Sequence, residues 1–488
     1  MTMNRFLAAL IAAGFLTLAA GWAAEPGASV PAPAYPRVPA WTPEPAQREH
    51  LRRALTLLVT STPERRHTVR VLFYGQSITE QAWWKTVADY LRTTYPNADL
   101  VIENRAIGGH ASQLLVKTAE ADLYPFQPDL LIFHVYGSHI EYENIIRRVR
   151  ERTCADILLQ TDHLTRDDQF AEETDPAKLT PKQWDAWMNH SFLPATAAKY
   201  GACQADIHEQ WKRYLQTNRL KPAALLKDGV HLNAHGEWLM AELLKPYLAP
   251  LPAKAGYDPY NDGRVHPVMA PWIGSIGVLT ETVEFTGTRV DVVPAKGAKS
   301  RAGAGAGALS EAVWVRIDGQ KPSKLPALYG FTRVSAFPLS NWPVLLKVGS
   351  QAPLVVEDWT LRLADISADG KSARFTLHGS VTGDDGEGVS TNRFVSKSGR
   401  IVLEPEDWNL AYCYAVFKRT LPAGHEVKWQ AVLHGQDSVI PVTGPAGVEK
   451  AVTVAQGLPP GKHVLEISGA ADGAREAAVR SYEPSAER

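Results

Sequence analysis

Between Glu49 and about Pro250, apolar runs that end in turn residues alternate with helical stretches. His67–Gly75 (HTVRVLFYG) reads as a buried strand. After it, Trp84, Val87, Ala88 and Leu91 recur at helical spacing. Asp99–Gly109, Pro128–Gly137 and Ala155–Leu164 read as further strands, each with its turn residues, and the YENIIRRVRERT stretch as a helix. Residues 165–190 are polar and charged, an insertion near the end of the fourth strand. The spacing predicts helices over Asn189–Gln204, His208–Asn218 and Ala234–Tyr247. Such alternation buries its apolar faces only as a parallel sheet with helices on both sides. Sites in sheets of this kind sit at the carboxyl ends of the strands.

Past about Pro250 the pattern changes to strand-like segments separated by turn residues, which predicts an all-β region. Val283–Asp318 and Val439–Ile467 read as two halves of one jelly-roll-like sandwich. Between them, about 329–424 reads as an inserted β module. Arg301–Ser310 (RAGAGAGALS) is low in complexity. The acidic TGDDGEG stretch (Thr382–Gly388) reads as a solvated turn. At the other end, Arg5 precedes the apolar run Phe6–Ala20, and small residues follow at Gly21 and Ala23. This is a secretory-signal pattern over 1–24, too short for a membrane anchor of about 20 apolar residues. It predicts a secreted or periplasmic protein with no membrane span in its mature form. The proline-rich stretch 25–48 reads as an extended tether.

Charge narrows the partners. Lys plus Arg number 51 against 52 Asp plus Glu, so no basic excess exists to hold a nucleic-acid backbone. Three cysteines (Cys154, Cys203, Cys413) allow at most one bridge. No Cys/His spacing indicates zinc, and no phosphate-binding glycine loop is present, so neither metal nor cofactor is expected.

Four stretches carry candidate chemistry. Gly75-Gln76-Ser77-Ile78-Thr79 falls between the first strand and a helix, so Ser77 is either an exposed nucleophile or a helix cap. Lys227–Trp238 (KDGVHLNAHGEW) places Asp228 three residues before His231. A serine hydroxyl needs an imidazole base, and that base needs a carboxylate to orient it; a short Asp-x-x-His turn supplies both. His235 is a rival base but lies inside the predicted last helix, which favours a structural role. Glu103–Ser112 (ENRAIGGHAS) is a glycine-containing loop whose backbone N–H groups can approach a substrate oxygen. His134–His139 (HVYGSH) ends the third strand. His134 alternates with apolar neighbours and reads as a core histidine; Asp162 and His163, at the end of the fourth strand, read as structural.

In their order along the chain, these blocks resemble the SGNH, or GDSL-type, hydrolases over about residues 67–250. The resemblance implies a flavodoxin-like three-layer α/β/α domain over 49–252, followed by the β region over 265–488. It implies Ser77 as nucleophile, His231 as general base and acid, and Asp228 as its orienting carboxylate. Gly109, five residues after Asn104, matches the oxyanion glycine, with Gly108 an adjacent alternative. The sequence departs from the family twice. Gln76 stands where an aspartate is usual, as in some carbohydrate-acetyl esterases. Tyr136-Gly137-Ser138-His139 lacks the asparagine of the third block, so Ser138 or His139 is the candidate replacement donor. Losing one such donor costs about 10²–10³ in rate. By analogy with secreted carbohydrate-active enzymes, which often carry accessory sandwiches, the substrate class is a polysaccharide or glycoside ester, with acetyl the leading acyl group. The alternatives are the same fold adapted to glycosidase or other transferase chemistry, and a non-catalytic carbohydrate-binding surface protein.

Overall fold

The computed structural model describes residues 35–268, 278–294, 313–338, 340–439, 447–449, 451–470 and 477–485. The expected signal peptide and the Arg301–Ser310 stretch lie outside them. The first half is an α/β unit built on a parallel sheet. Its strands are β1 (Arg66–Gly75), β2 (Asp99–Asn104), β3 (Leu130–His134), β4 (Asp156–Gln160) and β5 (Cys203–Ala205), in the spatial order 2-1-3-4-5. This is the flavodoxin-like order, with its switch point between β1 and β3. Val448–Glu449, from the far end of the chain, pairs in parallel with the start of β1.

Strand alternation explains the three layers. Val71 and Phe73 of β1, with Leu130 and Ile132 of β3, enter one core. The helices α1 (Arg52–Val59), α3 (Trp83–Thr94), α7 (Ile207–Asn218) and α8 (Ala234–Leu248) close that side. Leu72, Tyr74, Leu131 and Phe133 enter the other core, under α4 (Ser112–Asp122), α5 (His139–Arg152) and α6 (Leu193–Tyr200). The one-turn helix α2 (Ser77–Glu80) leaves the end of β1. A helix expected to run to Gln204 instead ends at Gly201, and Cys203–Ala205 forms the fifth strand. Three residues without β-branched side chains give no strand signal of their own; pairing with Leu158–Gln160 of β4 makes them one.

The second half is antiparallel β, as the texture predicts. Five strands pair in the order Tyr329–Phe331, Glu426–Leu433, Glu357–Ile366, Ala373–Gly379 and Gly383–Val389. The last includes the acidic TGDDGEG stretch, which is strand rather than turn: Asp385 accepts from Ser398 and Asp384 pairs with His378. Two four-stranded sheets gather segments from 265–317 and 438–482. The core of the five-stranded sheet is continuous with the α4–α6 side of the α/β unit through Trp342, Val344, Trp359 and Phe375.

The segment expected as a tether is docked from residue 35 onward. Tyr35 stacks on His235 with ring centroids 4.2 Å apart, Trp41 packs on Tyr247, and Arg48 donates to the Tyr247 and Ala249 carbonyls. Residues 35–44 have no regular structure, Pro45 opens the short helix Pro45–Glu49, and the prolines do not prevent apolar side chains from packing. All three cysteines are free and buried. Among the described residues no helix is long and apolar enough to cross a membrane.

Several ion pairs tie the two halves together, among them Lys117 with Asp407 at 2.7 Å and a bidentate one at Arg333. Arg333, from the β half, donates to both carboxylate oxygens of Asp122 at 2.7 and 2.8 Å and to the Arg105 carbonyl at 2.8 Å. Asp122 is buried, so removing Arg333 strands a charge. Arg333→Met is expected to cost about 3 kcal/mol, the low end for a broken buried pair because the arginine is partly solvent-facing. Urea unfolding measures it, and adding Asp122→Asn should recover part of the loss.

Candidate active site

The end of β1 sets the site. At Gly75 the backbone takes φ +157°, and a Cβ there would collide with the His134 carbonyl oxygen of β3. Only glycine lets the two strand ends close up and turn the chain directly into α2, with Ser77 as its first residue. The Ser77 hydroxyl lies 3.0 Å from His231 Nε2, and His231 Nδ1 lies 2.9 Å from Asp228 Oδ2. A carboxylate can only accept, so Nδ1 carries the hydrogen and Nε2 presents its lone pair to the serine O–H. Asp228 Oδ1 also accepts from the backbone N–H groups of Val230 and His231, at 2.8 and 2.7 Å. Burial alone pushes the Asp228 pKa up. These two N–H donors and His231 outweigh it and hold the pKa below the usual carboxylate value. The group therefore stays ionised beside the imidazole.

The loop that delivers His231 is gripped on both sides. Gln81, just after α2, accepts from Leu232 N–H at 3.0 Å and donates to Leu232 O at 2.8 Å. His163, past the end of β4, holds Val230 O at 2.8 Å. The residues flanking the imidazole are thus fixed from two different elements. Sequence reasoning missed Gln81 altogether, and its only signal is its place four residues after Ser77. Asn233 caps α8 by accepting from His235 and Gly236 N–H, which starts the helix immediately after the loop. His235 bonds Tyr214 at 2.7 Å and stacks on Tyr35, away from Ser77's bond to His231.

The other candidate residues fall into three groups. Asn104 is committed to bracing: its amide donates to Thr79 O at 2.7 Å, and its oxygen accepts from Ala106 N–H at 2.9 Å. Gly108 and Gly109 form the turn beside Ser77. The Gly108 N–H is held by the Glu80 carboxylate. Gly109 takes φ +74°, with the Trp342 ring against the place where a Cβ would stand. Tyr412 donates to Gly109 O at 2.9 Å, and Asn341 donates to Ala106 O at 3.1 Å and Glu80 at 2.9 Å. Three side chains of the β half therefore back this loop, a contribution no local signal announces. Gln76 is buried with an unpartnered amide nitrogen.

Ser138 caps α5 by accepting from Glu141 N–H, and it donates its own N–H to Gln113. His139 begins α5 in a nest of Trp184, Trp187 and Phe192, and burial lowers its pKa. His134 bonds Asp162 at 2.6 Å, and both are buried, where burial pushes the aspartate's pKa up against that bond.

No protein-family model matches this chain, and no curated protein matches it in sequence. Solved structures similar to it include an α/β hydrolase, LAE5, from the metagenome of Lake Arreo, Spain. Its identity is 16% and its TM-score 0.31, over 38% of this chain and 98% of that one. An acetylxylan esterase from Geobacillus stearothermophilus is 21% identical with a TM-score of 0.30, over 40% and 98%. A two-domain esterase active on acetylated mannans is 14% identical with a TM-score of 0.32, over 92% and 97%.

His163 offers a test of the grip on the catalytic-type loop. Burial drives its pKa down to about 3, while a free histidine titrates near about 6.5. The unfolded chain thus takes up a proton between those values that the folded chain refuses. Stability should therefore fall as pH drops from about 6.5 towards 3, by up to about 1.4 kcal/mol per pH unit for this one site. In urea titrations across that range, His163→Gln should flatten the slope by that amount.

Proposed function

We propose that this chain is an SGNH-type serine esterase that removes acyl groups, acetyl foremost, from a carbohydrate outside the cytoplasm, through an acyl-enzyme. The observation that carries this reading is the hydrogen-bonded series from Ser77 Oγ to His231 to Asp228 at the carboxyl end of β1. His231 Nε2 takes the hydroxyl proton as Oγ attacks the ester carbonyl. The resulting oxyanion is met by backbone N–H groups of Ser77 and Gly109. The proton then passes from His231 to the departing sugar oxygen, leaving Ser77 acylated. Water, deprotonated by His231, attacks the acyl carbon; the carboxylic acid leaves and Ser77 regains its proton. Asp228 keeps the imidazole in one tautomer throughout.

The accompanying organisation is an export segment over 1–24, a proline-rich stretch over 25–48, the hydrolase domain over 49–252 and an accessory β region over 265–488. The inserted module starts near 329. The carbohydrate ester as substrate follows from the export signal and the accessory β region, by analogy. Ser138 caps a helix and His139 is part of an aromatic nest. The oxyanion is assigned first to the backbone donors of Ser77 and Gly109, with the Ser138 hydroxyl and the unpartnered His139 Nε2 as candidate side-chain donors.

Acetate release from acetylated xylan, acetylated mannan and small acetyl esters tests the proposal. Ser77→Ala should lower kcat by about 10⁴–10⁶, and a fluorophosphonate should label Ser77 in the parent chain and nothing in the variant. Full activity in Ser77→Ala would overturn the assignment. Gln81→Ala frees one side of the His231 loop, so it should lower kcat roughly ten- to a hundredfold and slow fluorophosphonate labelling in parallel, with KM little changed.

A further inference from the structure

The insertion after β4 brings together three side chains that the esterase reading leaves without a task. Glu172 follows a 3₁₀ turn, His190 lies in the π-helical turn Met188–Phe192, and His208 is in the first turn of α7. Both imidazole Nε2 atoms face one carboxylate oxygen: His208 at 2.5 Å and His190 at 3.0 Å from Glu172 Oε1. The two rings stand 5.4 Å apart and perpendicular, and the three donor atoms lie within 4.8 Å of one another. π-Turns of this kind are rare and collect at functional sites.

The tautomer of His208 shows what this arrangement needs. Its Nδ1 is 2.9 Å from the backbone carbonyl of Asp162, which can only accept, so Nδ1 carries a hydrogen. In the neutral ring Nε2 then offers a lone pair, aimed at a carboxylate oxygen that offers another. Two lone pairs at that distance repel, so a positive centre lies between them: either a second ring proton, which makes an imidazolium–carboxylate pair, or a metal ion. An N–H to carbonyl bond behind a lone pair aimed at a shared point is also how metal-binding histidines are oriented.

We propose that Glu172, His190 and His208 bind one divalent transition-metal ion, with zinc the best match. Two imidazoles and one carboxylate are a zinc-type donor set, whereas calcium and magnesium take oxygen ligands. Zinc sits about 2.0–2.2 Å from such donors, which places tetrahedral donors about 3.3 Å apart. The donor atoms here stand 2.5 and 3.0 Å apart across the carboxylate and all within 4.8 Å of one another, which brackets that spacing. His208 is fully buried, while Glu172 and His190 each keep 11% of their side-chain surface, so water would complete the coordination. The ligands come from positions 172, 190 and 208, separations that no short motif encodes. The ion would fasten the 165–190 insertion to α7. Asn189, next to His190, also accepts from Asp162 N–H at 2.7 Å, so the ion would brace the end of β4.

The untagged full-length mature chain, stripped with chelator and dialysed against equimolar zinc, tests this by metal analysis and thermal unfolding. One zinc per chain is expected, with a raised melting temperature that excess chelator reverses. Cobalt in its place should give the strong visible absorption of a tetrahedral site. Glu172→Gln and His190→Gln should each lose the bound ion and the zinc-dependent shift while keeping the parent circular dichroism. His208→Gln should do the same, and if it fails to fold the other two variants decide. Less than a tenth of an equivalent bound by the parent, equal binding by the parent and both variants, or stabilisation by calcium or magnesium in place of zinc would each overturn the site. None of these readouts depends on ester hydrolysis, so they stand or fall apart from the assignment of Ser77.

Discussion

The closure of β1 onto β3 at Gly75 governs the geometry of this molecule. The register runs from Val71 opposite Leu130 to Gly75 opposite His134, and at the last pair the two backbones come too close for any side chain. Because β1 lies at the switch point of the sheet order, the chain leaves the two neighbouring strands in opposite directions. Ser77 follows two residues later, at the start of α2. The turn containing Gly108 and Gly109 borders it, and Asn104 pins that turn to Thr79 in α2. A bulkier residue at position 75 would move the serine, the helix behind it and the glycine turn together.

The α/β half was legible because its strands are long, apolar and broken by glycine at their carboxyl ends. Those features depend on the local chain alone. The same holds for Ser77 and for the Asp228–His231 turn, where three residues of spacing place a carboxylate beneath an imidazole. The parts that escaped were set by tertiary contact. Cys203–Ala205 is a strand because β4 offers it an edge, and residues 35–44 are held to the domain by the aromatic partners of Tyr35 and Trp41 and by the Tyr214 hydroxyl on the Pro36 carbonyl. Ser138 and His139 stand where the family's third block suggested an oxyanion donor. A helix begins at that point: the Ser138 hydroxyl caps it, and His139 lies among Trp184, Trp187 and Phe192.

The residues flanking His231 show how much of a site can lie outside its motif. Val230 is held by a buried neutral histidine and Leu232 by a glutamine amide that donates and accepts at once. These groups come from the ends of two different strand–helix connections, so the imidazole is located by the sheet as a whole rather than by its own loop. Gln81 also donates to Glu237 in α8, which extends the same tie into the last helix.

The backing of the glycine turn by Trp342, Tyr412 and Asn341 bears on how the polypeptide can be divided. The segment that looks like a self-sufficient hydrolase by its motifs ends near residue 252, yet the wall behind its Gly108–Gly109 turn is contributed by residues 341–412. Cutting the chain at that apparent border would uncover an indole-sized hollow behind Gly109 and leave its carbonyl without the phenol that steadies it. The glycine turn beside Ser77 is therefore walled in only when the β half is present.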